Sequence, residues 1–232
     1  MTHRTIERVH VVVPARDEAM LLGRQLTAIE AAACAVRRAH PDLRVRTTVV
    51  LDSCTDTSRE VVGRFPDVVS IEIDAGCVGA ARRAGVDAAR APSDVAERTW
   101  IACTDADSEV PVHWLVSQLA LARRGFDLVL GTVWPDPDDA EPGPLARWWS
   151  RHGLHDGHPY VHGANLGVAL SAYDAVSGFR ALPVGEDVDL VRRLKATGVC
   201  WTATSRLPVL TSSRRSARAP AGFAAYLLSL EG

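Results

Sequence analysis

The chain alternates short β-branched runs with longer Ala- and Arg-rich stretches of helical period, and few folds accept that rhythm. Val9 to Val13 reads as a buried strand stopped by Pro14. Asp17 to Ala39 reads as a long helix with Leu21, Leu22, Leu26, Ile29 and Ala33 on one face. Val45 to Leu51 is a second strand, followed by a turn rich in helix-capping side chains and a short helix ending near Arg64. Val68 to Ile73, Thr99 to Thr104 and Leu128 to Val133 are further strands. Helices over Ala80 to Ala91 and from Pro111 to Arg124 lie between them. Repeated strand–helix units predict an α/β domain with a mostly parallel central sheet and helices on both faces. At 232 residues a single well-filled domain is expected.

In such sheets ligands bind beyond the carboxyl ends of the strands. Three acidic segments, Pro14 to Glu18, Asp52 to Asp56 and Asp105 to Asp107, all follow strand ends. The last is the most pointed. In an extended chain, residues two apart share a side, so Asp105 and Asp107 converge on one point. Two carboxylates held close call for a cation, and hard ions such as Mg²⁺ or Mn²⁺ take oxygen ligands and share them with substrate phosphates. The plainer account of such a pair is an Asp-rich turn capping the next helix.

Composition closes off several alternatives. The formal net charge is −2 with no long run of one sign, so the clustered basic face of a nucleic-acid binder is missing. Cys34, Cys54, Cys77, Cys103 and Cys200 are scattered and odd in number, which argues against a disulfide framework or a zinc site and fits a reducing cytoplasm. The N-terminal residues carry no signal-peptide core, and no apolar run is long enough to span a bilayer. A cytoplasmic protein, at most peripheral at a membrane face, is expected.

After Val133 the character changes. The proline- and acid-rich segment from Pro135 to Pro144 is predicted as loop. It leads into Trp148, Trp149, His152, His155, His158, Tyr160 and His162, whose spacing matches no common metal motif and suits an acceptor-binding lid. A helix over Ala172 to Val176 follows, then another opening at Gly185 and stopping at Gly198. Glu186 and Asp187 fall in its first turn. There they either complement the helix dipole or serve as a general base. The Ala219 to Leu230 tail, with Phe223, Tyr226, Leu227 and Leu230 on one side, is expected to pack on the domain, dimerise or touch lipid.

Taken together, these segments resemble family 2 glycosyltransferases with the GT-A (Rossmann-like) nucleotide-sugar fold. The resemblance runs from about residue 9 to 215. Val11-Val12-Val13-Pro14-Ala15-Arg16-Asp17-Glu18 is similar to the family's opening strand and proline turn. Asp52-Ser53-Cys54-Thr55-Asp56 is similar to its Asp-Gly-Ser-x-Asp turn, with Ser53 and Cys54 in place of Gly-Ser. Gly76 to Gly85 resembles the Gly-x-x-x-Ala-Arg-Asn-x-Gly segment, with Arg83 where Asn is common. Thr104-Asp105-Ala106-Asp107 looks like the metal-binding Asp-x-Asp. Gly163-Ala164-Asn165, Gly178-Phe179 and Gly185-Glu186-Asp187-Val188-Asp189-Leu190 follow in the family's order.

The resemblance implies a nucleotide-sugar-binding half over about 1–133, an acceptor and catalytic half over about 134–215, and a tail over 216–232. It implies that Pro14, Arg16 and Glu18 border the nucleotide pocket, that Asp52 and Arg82 hold base and ribose, and that Asp105 reaches the ribose or a metal-bound water. Asp107, with Asp105, would ligate Mg²⁺ or Mn²⁺. Asp187 would be the general base of an inverting transfer, with Glu186 as substitute; Arg214, in Thr211-Ser212-Ser213-Arg214-Arg215, would either close over the diphosphate or belong to a solvated basic tail. The implied partners are a nucleotide-diphosphate sugar and a small-molecule or lipid-linked hydroxyl acceptor. Leu190-Val191-Arg192-Arg193-Leu194 lacks the Gln-x-x-Arg-Trp segment of processive synthases. Two other readings stand beside this one. A sugar-phosphate nucleotidyltransferase is disfavoured by the absence of glycine between Pro14 and Glu18. A non-catalytic nucleotide-sugar binder is disfavoured by the intact carboxylates.

Overall fold

The computed structural model of the chain describes residues 4–139, 142–153 and 155–214. Among these residues, one sheet is formed by β1 (Arg8–Ala15), β2 (Arg44–Asp52), β3 (Val68–Ile73), β4 (Thr99–Cys103), β5 (Ser108–Glu109), β6 (Leu128–Pro135), β7 (Leu166–Ala169) and β8 (Trp201–Thr211). Their order is β3-β2-β1-β4-β7-β6-β8-β5. β1 is parallel to β2 and β4, β2 to β3, and β6 to β8. β7 is antiparallel to both β4 and β6, and β5 to β8. The mostly parallel α/β sheet expected from the alternation is present.

The helices are α1 (Leu22–Ala39), α2 (Ser58–Val62), α3 (Val78–Ala89), α4 (Trp114–Arg123), α5 (Pro142–Arg151), α6 (Leu170–Ala175) and α7 (Glu186–Ala196). The chain steps outward from β1 to β2 to β3, then returns across β1 to reach β4. Because parallel crossovers are right-handed, this reversal puts α3 on the face opposite α1 and α2. The contacts agree: α1 packs on α2 and α4, whereas α3 packs on α7. Between the layers lies an apolar core. Val9, Val11, Val12 and Val13 of β1 are fully buried: Val12 points to Gly85 of α3, and Val9, Val11 and Val13 point to the opposite face, where Leu22, Leu26, Ile29 and Val36 of α1 are buried.

Several boundaries differ from expectation, each for a local reason. Pro14 does not stop β1. The pairing with β4 ends at Val12↔Cys103, so Pro14 stands where β1 has only β2 beside it and its missing N–H is tolerated. Pro135 extends β6 for the same reason, since the β7 pairing ends at Leu130↔Leu166. α1 begins at Leu22 rather than Asp17, because Asp17 sits at φ +52°, outside helical space. α5 occupies part of the segment expected as loop and opens on Pro142, where a proline costs the helix no hydrogen bond. β5 and β7, of two and four residues, were not anticipated.

All five cysteines are free. Among the described residues no helix is long and apolar enough to cross a membrane. Arg215 and the Ala219 to Leu230 tail lie outside the described residues.

Candidate active site

The reversal of strand order falls between β1 and β4, and the loops leaving these two strands carry Glu18, Asp105 and Asp107. A sheet opens a crevice at such a point. The Asp105 to Asp107 segment is not extended. It turns, with the Ser108 N–H donating to the Asp105 carbonyl at 3.3 Å. The two carboxylates are therefore each taken up by a different arginine.

Arg82 of α3 is the first. Its side chain is 2 % exposed and lies between two acids: Nη2 donates to Asp105 Oδ1, and Nε donates to Glu186 Oε1 at 3.0 Å. Phe179, fully buried, lies beneath the guanidinium with its centroid 5.9 Å away. Burial alone would favour the neutral base, but Asp105 and Glu186 hold Arg82 above its ordinary value. Burial raises Glu186 despite Arg82 beside it. Gly163 comes so close that a Cβ there would collide with the guanidinium, which fixes glycine at that position. Its N–H donates to Asp187 Oδ2 at 2.7 Å, while Asp187 Oδ1 accepts the Val188 N–H at 2.8 Å. Gly185, at φ +74°, makes the turn that lets α7 begin with both acids. Asp187 is half-buried and reachable, whereas Glu186 is buried.

Arg214 is the second. Its Nη1 donates to Glu18 Oε2 at 2.7 Å, its Nη2 to Glu18 Oε1, and Nη2 also lies 3.1 Å from Asp107 Oδ2. This paired geometry is the one guanidinium and carboxylate favour. The hydrogen bonds to Glu18 raise Arg214. Burial, with Asp105 and Glu18 alongside, pushes Asp107 up to about 7. The segment leading to Arg214 is itself anchored. Asp139 accepts from the Ser212 hydroxyl at 2.6 Å and the Ser213 N–H at 2.7 Å, and the Ser212 N–H donates to the Asp107 carbonyl at 3.0 Å.

The remaining anticipated residues sit as follows. Asp52, 4 % exposed, accepts the backbone N–H groups of Ala75, Gly76 and Cys77, each at 2.8 Å, and so ties the end of β2 to the turn before α3. Burial opposes its charge, but these bonds hold it below its ordinary value. Arg16 is exposed beside Gly76, and Pro14 is half-buried at the β1 end. Asp17, Cys54 and Asp56 are the described residues that bring three metal-type ligand atoms within 4.8 Å of one another. Their carboxylates are occupied: Asp17 accepts the Thr55 and Asp56 N–H groups, and Asp56 accepts those of Ala19 and Ser58. This cluster staples two loops together. Beside it, a cavity of 380 Å³ is lined by Ser53, Cys54, Asp56, Arg59, Glu72 and Asp74.

Two residues of the site were not anticipated for what they do. Gln25, fully buried on α1, donates from Nε2 to Thr104 Oγ1 at 2.8 Å and to the Asp105 carbonyl at 3.0 Å, while its Oε1 accepts the Val110 N–H at 3.3 Å. It fixes the Asp105–Asp107 turn. A glutamine in the apolar stripe of α1 was the available signal. Asn165 fills the gap where the β6–β8 register shifts between Gly131 and Val133. It donates to the Thr132 and Leu207 carbonyls at 2.8 and 2.7 Å and accepts from the Trp114 indole at 2.9 Å.

Fold and crevice together define the GT-A class of α/β domains. A family model described as glycosyl transferase family 2 matches residues 10–176, and the chain belongs to that family. No curated protein matches the chain. Among solved structures it resembles S. aureus TarS 1–349, at 13 % identity and a TM-score of 0.63, covering 89 % of this chain and 60 % of that one. It also resembles the mannosyltransferase PcManGT from Pyrobaculum calidifontis in complex with GDP-Man and Mn²⁺, at 17 % identity and a TM-score of 0.66, covering 97 % and 62 %. A third is the M. tuberculosis glucosyl-3-phosphoglycerate synthase in complex with phosphoglyceric acid, at 15 % identity and a TM-score of 0.57, covering 98 % and 80 %. The chain thus spans about three fifths of the first and second of these structures.

Proposed function

We propose that the chain transfers a sugar, with inversion, from a nucleotide-diphosphate donor to the hydroxyl of a small-molecule or lipid-linked acceptor in a metal-dependent reaction. One observation carries this reading: acids from the ends of β1 and β4 and from the start of α7 meet at the switch point of the sheet, each neutralised by a buried or half-buried arginine. The donor set fits a divalent ion. Asp105 and Asp107 offer hard oxygen ligands, Asp107 is crowded by like charge, and the Arg214 guanidinium stands where a cation is needed. Two carboxylates without a full protein cage also suit Mg²⁺ or Mn²⁺, which share their remaining positions with phosphates. Bound there, the ion supplies Lewis-acid stabilisation of the departing diphosphate.

The chain's own residues do the rest. Pro14, Arg16, Glu18 and Asp52 border the nucleotide on the 1–133 side, with Arg82 beneath it holding Asp105 and Glu186 in place. Asp187 takes the proton from the acceptor hydroxyl as that oxygen bonds to the anomeric carbon and the carbon–oxygen bond to the diphosphate breaks. Its half-buried position favours it over Glu186, whose carboxylate is bound to Arg82. Arg214, released from Glu18, offers its paired donors to the diphosphate.

A donor screen reading released nucleoside diphosphate with Mn²⁺ tests this, alongside calorimetry of UDP and GDP with and without Mn²⁺. Metal-dependent binding that disappears in Asp107→Ala, with the melting temperature retained, is the expected result. Equal binding in that variant would remove Asp107 from the site, and absence of any nucleotide binding would overturn the reading.

A further inference from the structure

β3 closes one side of the sheet. Among the described residues it pairs with β2 and has no strand beyond it. Its outward N–H and C=O groups therefore form an open hydrogen-bonding edge along a strand of 6 residues. Soluble proteins blunt such edges with lysine, proline, a bulge or a covering helix. Val68-Val69-Ser70-Ile71-Glu72-Ile73 contains neither lysine nor proline, and its register with β2 runs unbroken from Val68 to Ile73. Its one charge, Glu72, is taken up by Arg59 of α2. α3 packs chiefly over β1 and β2, so Val69 is left 38 % exposed and Ile71 and Ile73 only half-buried.

The two faces of this edge differ. Ile71 pairs with Val50, whose side chain lies against Gly85 of α3. Side chains alternate along a strand, so Val69, Ile71 and Ile73 form an apolar row on the α3 face. Val68, Ser70 and Glu72 occupy the other face, as the Arg59 pair confirms. Two antiparallel strands related by a two-fold axis place side chains of one face opposite each other, and the axis fixes which residues meet. Centred on Ile71, it sets Ile71 against its own counterpart, Val69 against Ile73, and Ser70 against Glu72. Every apolar residue of the row then meets an apolar one, the Ser70 hydroxyl meets a carboxylate, and Asp74 falls opposite Val68, so no like charges oppose. Centring on Ser70 instead would set Val68 against Glu72. The strand is thus complementary to a second copy of itself in one register.

We infer that β3 is a homodimer interface, in which two copies pair antiparallel through this edge, centred on Ile71, to make one continuous sheet. The antiparallel arrangement turns the two crevices in opposite directions, so both stay open. The inference is independent of the proposed transfer.

Sedimentation of the full chain over a concentration series tests it first. A monomer–dimer equilibrium with a dissociation constant of about 10 µM or tighter is expected. Val69→Lys, and Ile71→Lys, which sets two ammonium groups face to face across the axis, are each expected to weaken it at least about tenfold. Val69 is exposed, so the first of these variants keeps the wild-type circular dichroism. The register is read by cysteine substitution. Under diamide, Ile71→Cys is expected to link to its own copy at that position, where opposed Cα atoms lie within disulfide reach, whereas Ser70→Cys, opposite Glu72, is not. Peptide mapping separates these links from those of the native cysteines. A wild-type chain that sediments as a monomer up to about 100 µM overturns the inference. So does a dimer undiminished in folded Val69→Lys, or a link through Ser70→Cys in preference to Ile71→Cys. Loss of the dimer on Leu227→Asp and Leu230→Asp, with no response to Val69→Lys, would place the contact in the tail and overturn it too.

Discussion

Arg214 Nη1 lies 2.7 Å from Glu18 Oε2, joining residues 196 positions apart in the chain. The same guanidinium reaches Asp107, so one side chain from the end of β8 neutralises acids that follow β1 and β4. On the proposed reading, Arg214 and a divalent ion would compete for Asp107. Arg214→Gln is expected to tighten Mn²⁺ binding measured alone by about tenfold. It should also weaken binding of nucleoside diphosphate with Mn²⁺ by a similar factor, the order of one charge-assisted hydrogen bond. Calorimetry and the paramagnetic resonance signal of free Mn²⁺ read both quantities. An unchanged Mn²⁺ affinity would show that the guanidinium does not compete.

Asp187 holds the Gly163 N–H with one oxygen and the Val188 N–H with the other. Asn at this position keeps an acceptor for Gly163 but cannot take a proton. Turnover in Asp187→Asn is expected to fall by about 10²–10⁴ with donor affinity within about twofold of wild type. If turnover survives, Glu186→Gln becomes the informative variant.

Gln25 touches no proposed ligand yet shapes the Asp105–Asp107 turn. Gln25→Leu removes three hydrogen bonds and leaves the Val110 N–H buried without its partner. A loss of about 2–3 kcal/mol in urea denaturation is expected, with a several-fold drop in Mn²⁺ affinity. Loss of stability with unaltered Mn²⁺ affinity would limit Gln25 to a packing role.

His10 sits on β1, with Nε2 2.9 Å from Asp94 Oδ2. Burial holds its pKa below the ordinary histidine value, with Asp94 pulling the other way. The unfolded chain therefore binds more protons near that value, so this contribution to stability is present above about pH 6.5 and is lost as pH falls below it. Burial lowers His158 in the same direction. The two histidines pull the melting temperature down between about pH 7.5 and 5.5, while Asp107 and Glu186, held above their ordinary values, pull it the other way; His10→Leu is therefore expected to lose less melting temperature, or gain more, than wild type over that range. A slope identical to wild type would rule out His10 as a source.

The strands with unbroken β-branched runs were readable from sequence, and β3 falls at the limits read for it. The prolines misled, because whether Pro14 or Pro135 ends a strand depends on which neighbour is still paired there, and that neighbour is remote in sequence. β7 escaped for the same reason: its four residues become a strand only between β4 and β6. The gathering of acids beyond strand ends was legible because parallel topology dictates it. The pairing of Asp105 with Arg82 and of Asp107 with Arg214 was not. It arises from a turn at Asp105–Asp107, where an extended chain would have pointed both acids at one place.

Asn165 bears on how variants of this chain are interpreted. Its amide spans the break between β6 and β8, and at Gly131 even one added methyl would strike it. Replacing it would open a seam in the middle of the sheet, and activity would vanish along with the scaffold. An assay of turnover alone would then credit this residue with chemistry it never performs, whereas a melting curve recorded beside it would reveal a mason's role.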